Sequence, residues 1–233
     1  MVFPIILLSI SFLAVTYFCY EKVKAYSLKA VLIKTVCSLL FIALATYSVF
    51  KTGYHYFSPF AILALVVGML GDIFLEMKYV FKEKNKEFTY AGFIAFGLGH
   101  ILYITGLFLE FYHQQNVLYV IMPFVFGLLM AVICLLIEKP FKLEYKSYKY
   151  IVFIYALSLF SDLGVTFSFL LMSSFQSTSL IMIFAGMALF ALSDLVLTNT
   201  YFGEGHEKPI DLVSNTFMYY VAQNLIAFAI FFL

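Results

Sequence analysis

Eight apolar runs, each about 20 residues long and so long enough to cross a bilayer as a helix, take up almost the whole chain. They lie at roughly 3–20, 28–50, 59–77, 89–109, 117–137, 149–171, 178–199 and 214–233. In hydrocarbon every backbone polar group has to be satisfied by the protein itself, and a run of this length does that as a helix. The expectation is an all-α polytopic membrane bundle of about eight transmembrane helices. No linker, low-complexity stretch or internal repeat interrupts it, so residues 1–233 are read as a single integral membrane domain. Composition agrees: 64% of the residues are hydrophobic and 12% charged, with a mean hydropathy of +1.00, outside the range of soluble globular domains. The first run lacks a basic leader and a small-residue cleavage motif, so it is expected to be a retained helix.

The lysines orient the bundle. Lys22, Lys24, Lys29, Lys78, Lys82, Lys84, Lys86, Lys139, Lys142, Lys146, Lys149 and Lys208 lie in or beside the connections after runs one, three, five and seven, whereas the other connections hold only Lys51. By the positive-inside rule the odd connections face the cytoplasm and both termini are non-cytoplasmic. Tyr54, Tyr56, Tyr112, Tyr145, Tyr148 and Tyr150 at run ends fit an interfacial aromatic belt. With a formal net charge of +1 and no Arg among its fourteen basic residues, the chain lacks the bidentate forks that suit phosphate backbones, which excludes a nucleic-acid partner. Cys19, Cys37 and Cys134 sit in apolar runs without CxxC or CxxH spacing, so they suggest neither a disulfide framework nor a zinc site. His55, His113 and His206 fall in connections and are expected to be solvated.

The remaining polar residues lie inside the runs. Lys34 is about two turns into run two; Asp72 and Glu76 are in the cytoplasmic half of run three; His100 and Tyr103 are near the middle of run four. Ser193 and Asp194 are in the cytoplasmic half of run seven, and Tyr219, Tyr220, Gln223 and Asn224 ascend run eight from the same side. Spacings of three or four put Asp72 with Glu76, His100 with Tyr103, and Tyr219 or Tyr220 with Gln223 on shared helix faces. An ionisable group facing lipid costs at least about 2.5–3.5 kcal/mol, so these faces point inward. Gly68, Gly71, Gly97, Gly99, Gly186 and Ala188 let helices approach closely beside them. One cavity open to the cytoplasmic leaflet is expected. The plainer reading is interhelical glue, with Lys34 neutralising Asp72 or Asp194 and Gln223 tying run eight to a neighbour. Glu76 is expected near interfacial water or Lys78. Asp162, in the outer half of run six, is expected to stand apart as a local hydrogen-bonding residue.

Two embedded aspartates with a histidine, a lysine and several hydroxyls and amides are the ingredients of acid/base work. A zinc hydrolase is disfavoured because only His100 lies in the membrane. Ser193 has no GxSxG elbow around it. The residues favour a site that uses no metal and no cofactor.

Taken in order, Gly71-Asp72, then Gly92, Phe96, His100 and Tyr103 in GFIAFGLGHILY, then Gly186, Phe190, Ser193 and Asp194 in GMALFALSDLVL, then Tyr219 and Gln223 in YYVAQNLIA resemble the YhhN family of transmembrane proteins, which includes the lysoplasmalogenases. Lys34 in LIKTVCSLL resembles that family's Lys-Pro element, with Thr35 where the proline would stand. The connection between Asp72 and His100 is longer and more lysine-rich than the family's usual one. The resemblance implies hydrolysis of the vinyl ether bond of a lysoplasmalogen, a lysophospholipid held in the bilayer, to a fatty aldehyde and a glycerophospho-ethanolamine or glycerophosphocholine. Under that reading Asp72, Asp194 and His100 are catalytic, one aspartate donating a proton and the other stabilising charge. Lys34, Glu76, Tyr103, Ser193, Tyr219 and Gln223 bind substrate. Two other classes use the same residues: a proton-coupled transporter or lipid-handling protein, and a lysolipid hydrolase acting on another bond. In each case the protein is a multi-pass component of the plasma membrane or an internal membrane.

Overall fold

The structure is a computed structural model that describes residues 2–113, 116–203 and 208–233; His206 lies outside them. Among the described residues the chain forms eight α-helices: α1 (Val2–Lys24), α2 (Leu28–Thr52), α3 (Phe57–Val80), α4 (Asn85–Phe111), α5 (Val117–Leu136), α6 (Lys149–Met172), α7 (Thr178–Phe202) and α8 (Pro209–Ala229). All eight are long and apolar enough to cross a membrane, so the chain is an all-helical protein of the integral multi-pass kind.

The helices outrun the apolar runs at their polar ends. α4 starts at Asn85 and carries Lys86 and Glu87 in its first turn; α8 starts at Pro209, where a missing N–H costs nothing. Side chains fix other starts. Ser27 accepts from the Ala30 N–H and Ser177 from the Leu180 N–H, and Asn116 accepts from the Leu118 N–H, each satisfying a donor the helix leaves unpaired.

Packing gives a ring. α2 lies against α3, α3 against α4, α4 against α6, α6 against α7, α7 against α8, and α8 against α2. α1 leans on the outside at α2 and α8, and α5 leans on α6. Burial follows this arrangement: 67% of the apolar window of α6 is buried inside the bundle against 17% for α5. Close approach rests on small residues. A Cβ on Gly71 would stand 2.7 Å from the Phe96 ring, and one on Gly186 would stand 2.7 Å from Ile226 and 3.0 Å from the Ala222 carbonyl. The polar interior of the ring therefore begins where α3 meets α4 and α7 meets α8.

Two connections depart from expectation. Tyr145, expected at the interface, is buried: its phenol donates to the Cys134 carbonyl at 3.1 Å and its N–H to Glu138 at 3.1 Å. Burial pushes that phenol up to about 12, while Lys149 at 2.8 Å holds the Glu138 carboxyl below the usual carboxylate range. The same connection is pinned to the end of α7, where the Glu144 N–H donates to the Phe202 carbonyl at 2.7 Å. At the opposite end His55 is only partly exposed and meets Glu110 at 3.3 Å, because Glu110 also accepts from the Phe57 N–H at 3.1 Å and closes the start of α3. His113 is exposed, as expected.

Candidate functional site

Helix ends fix the depth of each polar group. At 1.5 Å per residue, Asp72 lies about 12 Å from the lysine-rich end of α3 and Asp194 about 12 Å from the same end of α7. Both line one cavity inside the ring, of about 50 Å³. That is room for a few waters. Each ring helix contributes to its wall: Lys34 from α2, Leu75 from α3, Phe93 and Phe96 from α4, Tyr155 from α6, Leu197 and Tyr201 from α7, and Asn215, Thr216, Tyr219 and Tyr220 from α8. Lys22 of α1 closes the edge.

Asp72 is 2% exposed and is held by three neighbours. Its Oδ2 accepts from Ser38 at 2.7 Å and from Tyr219 at 2.8 Å, and its Oδ1 faces the Lys34 ammonium at 3.4 Å. Ser38 is one turn beyond Lys34 on the same face of α2 and lies 3.3 Å from the Tyr220 hydroxyl. Behind Tyr219, Gln223 donates to its hydroxyl at 3.3 Å and accepts from Tyr103 at 3.1 Å. A hydrogen-bonded file thus runs Tyr103, Gln223, Tyr219, Asp72. These hydroxyls and the ammonium all favour a negative charge on Asp72.

Glu76 does not reach interfacial water. It is 1% exposed, and its Oε2 takes Lys22 at 2.8 Å and Lys34 at 3.5 Å. The reason is the length of α1, which continues to Lys24 and carries Lys22 over the end of α3. Charged groups this deep are tolerable only when paired, and here two lysines face two carboxylates.

Asp194 is held more lightly. The Tyr155 hydroxyl donates to its Oδ2, and Ser193 lies 3.5 Å from its Oδ1. No lysine pairs with it among the described residues, and it keeps partial exposure toward the cavity. Ser193 itself is turned away: its hydroxyl donates to the Phe190 carbonyl at 2.8 Å, and its carbonyl accepts from Asn215 at 2.7 Å.

His100 lies behind this wall. Its ring packs against Phe190 at 5.0 Å and Tyr155 at 5.9 Å between centroids, and its Nδ1 is 3.0 Å from Asp162. Asp162 is therefore not a local hydrogen-bonding residue; it pairs across helices with His100. Measured from Asn85, His100 is about 22 Å deep, and Asp162, measured from Lys149, is about 20 Å deep.

Of the residues expected at the site, Asp72, Asp194, Lys34 and Tyr219 line the cavity. Gln223, Tyr103, Glu76, His100 and Ser193 stand behind that lining; Gln223, Glu76 and Ser193 are bonded to residues that form it, and Tyr103 reaches it through Gln223. The polar contributors that were not foreseen are Lys22, Ser38, Tyr155, Tyr201, Asn215 and Thr216. Ser38 could have been found from its i+4 spacing to Lys34; Tyr155 stands with Ser158 in the apolar stretch IVFIYALSLF, which gives no periodic signal. Among the described residues no three of His, Cys, Asp and Glu converge as a metal ion requires.

A family model described as the YhhN family matches residues 29–230. No curated protein and no solved structure matches the chain significantly.

Proposed function

From the premise that the chain belongs to the YhhN family across residues 29–230, we propose that it hydrolyses the vinyl ether bond of lysoplasmalogens inside the membrane. The observation that carries this reading is the unequal pair of aspartates, Asp72 and Asp194, on one small polar cavity.

A vinyl ether is cleaved by protonating the alkene carbon remote from oxygen. The C=C pair forms the new C–H bond, and the cation is shared between carbon and oxygen as an oxocarbenium ion. Water adds to that carbon and loses a proton, and the hemiacetal collapses to a fatty aldehyde and a free glycerol hydroxyl. The step consumes one water, returns the proton and needs no nucleophile. It calls for an acid, a negative charge beside the cation, and an oriented water.

Asp194, with hydroxyl neighbours and partial exposure to the cavity, serves as the acid, and Tyr155 fixes the carboxyl through Oδ2. Asp72, ringed by Lys34, Ser38 and Tyr219, serves as the charge that faces the oxocarbenium and takes the proton from water; on collapse of the hemiacetal it passes that proton to the glycerol oxygen while Asp194 regains one from the hemiacetal hydroxyl. Tyr219 and Gln223 hold that carboxylate from behind. His100 with Asp162 supports the Tyr155 side of the wall. Lys34 and Lys22 lie toward the lysine-rich end, where a phosphate headgroup would sit, which supports an opening toward the cytoplasmic half. Ser193, with its hydroxyl on a backbone carbonyl, is a poor candidate for attack on an ester.

The test is to incubate purified protein in lipid nanodiscs with a panel of lysophospholipids carrying vinyl ether, ester or alkyl ether chains and to identify products by mass spectrometry. Fatty aldehyde from the vinyl ether alone supports the reading. Fatty acid from the ester points to another hydrolase, and no product from any lipid points to transport or lipid handling.

A further inference from the structure

The polar cavity is too small for a whole lysolipid, so most of the alkyl chain has to lie outside it, and it has a neighbour. A second space of about 40 Å³ shares Phe93, Tyr155 and Asp194 with it. Apart from Thr198 and Tyr145, the rest of this slot is apolar. Cys134 and Ile137 form its α5 side, Ala156 and Phe160 its α6 floor, and Ala191 and Leu195 its α7 side. Tyr145 and Phe202, pinned together with ring centroids 5.1 Å apart, close it toward the lysine-rich end.

The slot runs outward. Leu195 on its wall is 47% exposed, and Cys134 is half-buried. In this bundle such exposure means contact with lipid. Both α5 and α7 pack on α6, and the slot lies in the cleft between them. Further along α6 the same cleft widens into an apolar groove of about 520 Å³ that includes Met122, Phe126 and Phe167. Phe126 of the groove meets Phe160 of the slot edge-on, with centroids 6.3 Å apart, so these two rings separate the spaces.

We propose that this slot between α5, α6 and α7 is the lateral passage through which the alkyl chain of a lipid substrate lies between Asp194 and the bilayer. The proposal rests on the lipid-hydrolase reading above and adds where the chain goes. Continuity selects the occupant: the slot opens on the carboxyl proposed to act on the first carbons of the chain, and its other walls are mostly apolar. A headgroup would lie across the cavity by Lys22 and Lys34, so the reacting bond would fall between the two aspartates. Hydrocarbon moving from bilayer to slot gains nothing from leaving water. Selection is therefore steric, and filling the slot should matter more than its polarity.

The experiment compares lysophosphoethanolamines with propenyl and hexadecenyl vinyl ether chains in nanodiscs, together with a hexadecyl alkyl ether, which has no alkene to protonate and reports binding alone. Ala156→Phe should lower the hexadecenyl-to-propenyl turnover ratio about tenfold, the scale of overpacking a fitted site. The same variant should weaken hexadecyl ether binding by a similar factor. Ala191→Leu should act in the same direction and serves where Ala156→Phe does not fold; Phe160→Ala, which joins slot to groove, should raise the ratio. Turnover ratios and hexadecyl ether binding that stay unchanged in the folded variants would overturn the passage. If the wild type cleaves neither vinyl ether, the lipid-hydrolase reading fails, and binding of the hexadecyl ether decides the slot: binding lost on filling it keeps the passage, and binding absent or unaltered removes it.

Discussion

Asp72 and Asp194 occupy one depth and one cavity, but the bundle holds them in opposite ways. Around Asp72 two helices, α2 and α8, supply an ammonium and two hydroxyls. Around Asp194 the partners are hydroxyls alone. An ammonium close to a carboxylate stabilises its charged form, and a desolvated carboxyl without a cation does not share that benefit. Two like side chains can then divide into a fixed charge and a proton donor, a division that an acid/base hydrolase needs and a symmetric pair would not give. The same contrast separates fold from chemistry: the Asp72 cluster ties α2, α3 and α8 together, whereas Asp194 is joined only to α6 and its own helix.

That contrast can be broken by substitution. Asp194→Asn removes the donor and should cut aldehyde release by about 10²–10⁴-fold while the thermal midpoint in nanodiscs stays near that of the wild type. Asp72→Asn should lower activity by about 10²–10³-fold and should also destabilise the bundle by about 3 kcal/mol, the low end for breaking a buried pair, because Glu76 still faces Lys34. Equal thermal midpoints for the two variants would contradict the asymmetry. Tyr155→Phe takes the closest hydroxyl from Asp194 and should cost about tenfold in turnover, the scale of a hydrogen bond to an ionisable group. Tyr219→Phe leaves Asp72 with Ser38 and Lys34 and should cost only about threefold on the same scale; a larger loss than for Tyr155→Phe would invert the comparison. Gln223→Leu, which cuts Tyr103 from Tyr219, should be the mildest, destabilising by about 0.6 kcal/mol, a typical value for a hydrogen bond between membrane helices.

Much of the architecture was legible because membrane thickness acts as a ruler: a run such as 178–199 can be little other than a spanning helix, and α7 contains it. Inward-facing charges were legible for a related reason, since lipid excludes them, and so Asp72, Asp194, Lys34 and Tyr219 could be named from depth and spacing. What failed were properties set at helix ends and between distant helices. Lys22 looked like a topological lysine because nothing in the chain shows α1 carrying it over Glu76. Asp162 looked local because nothing in the sequence of α6 shows that it meets His100 of α4. Tyr145 looked interfacial because the fold of 137–148 back onto α7 depends on contacts with Phe202 that no local pattern encodes. Tyr155 carried no signal at all: one tyrosine in an apolar helix becomes a partner of Asp194 only when α6 packs beside α7.

The central claim is that Asp194 delivers a proton to carbon in a lipid vinyl ether. Its most direct test is mass spectrometry of the aldehyde released from a lysoplasmalogen in deuterated water by the wild type and by Asp194→Asn. The wild type should yield a fatty aldehyde carrying one deuterium on the carbon next to the carbonyl, and the variant should release almost none. Aldehyde without that deuterium, or undiminished release by Asp194→Asn, would contradict the account.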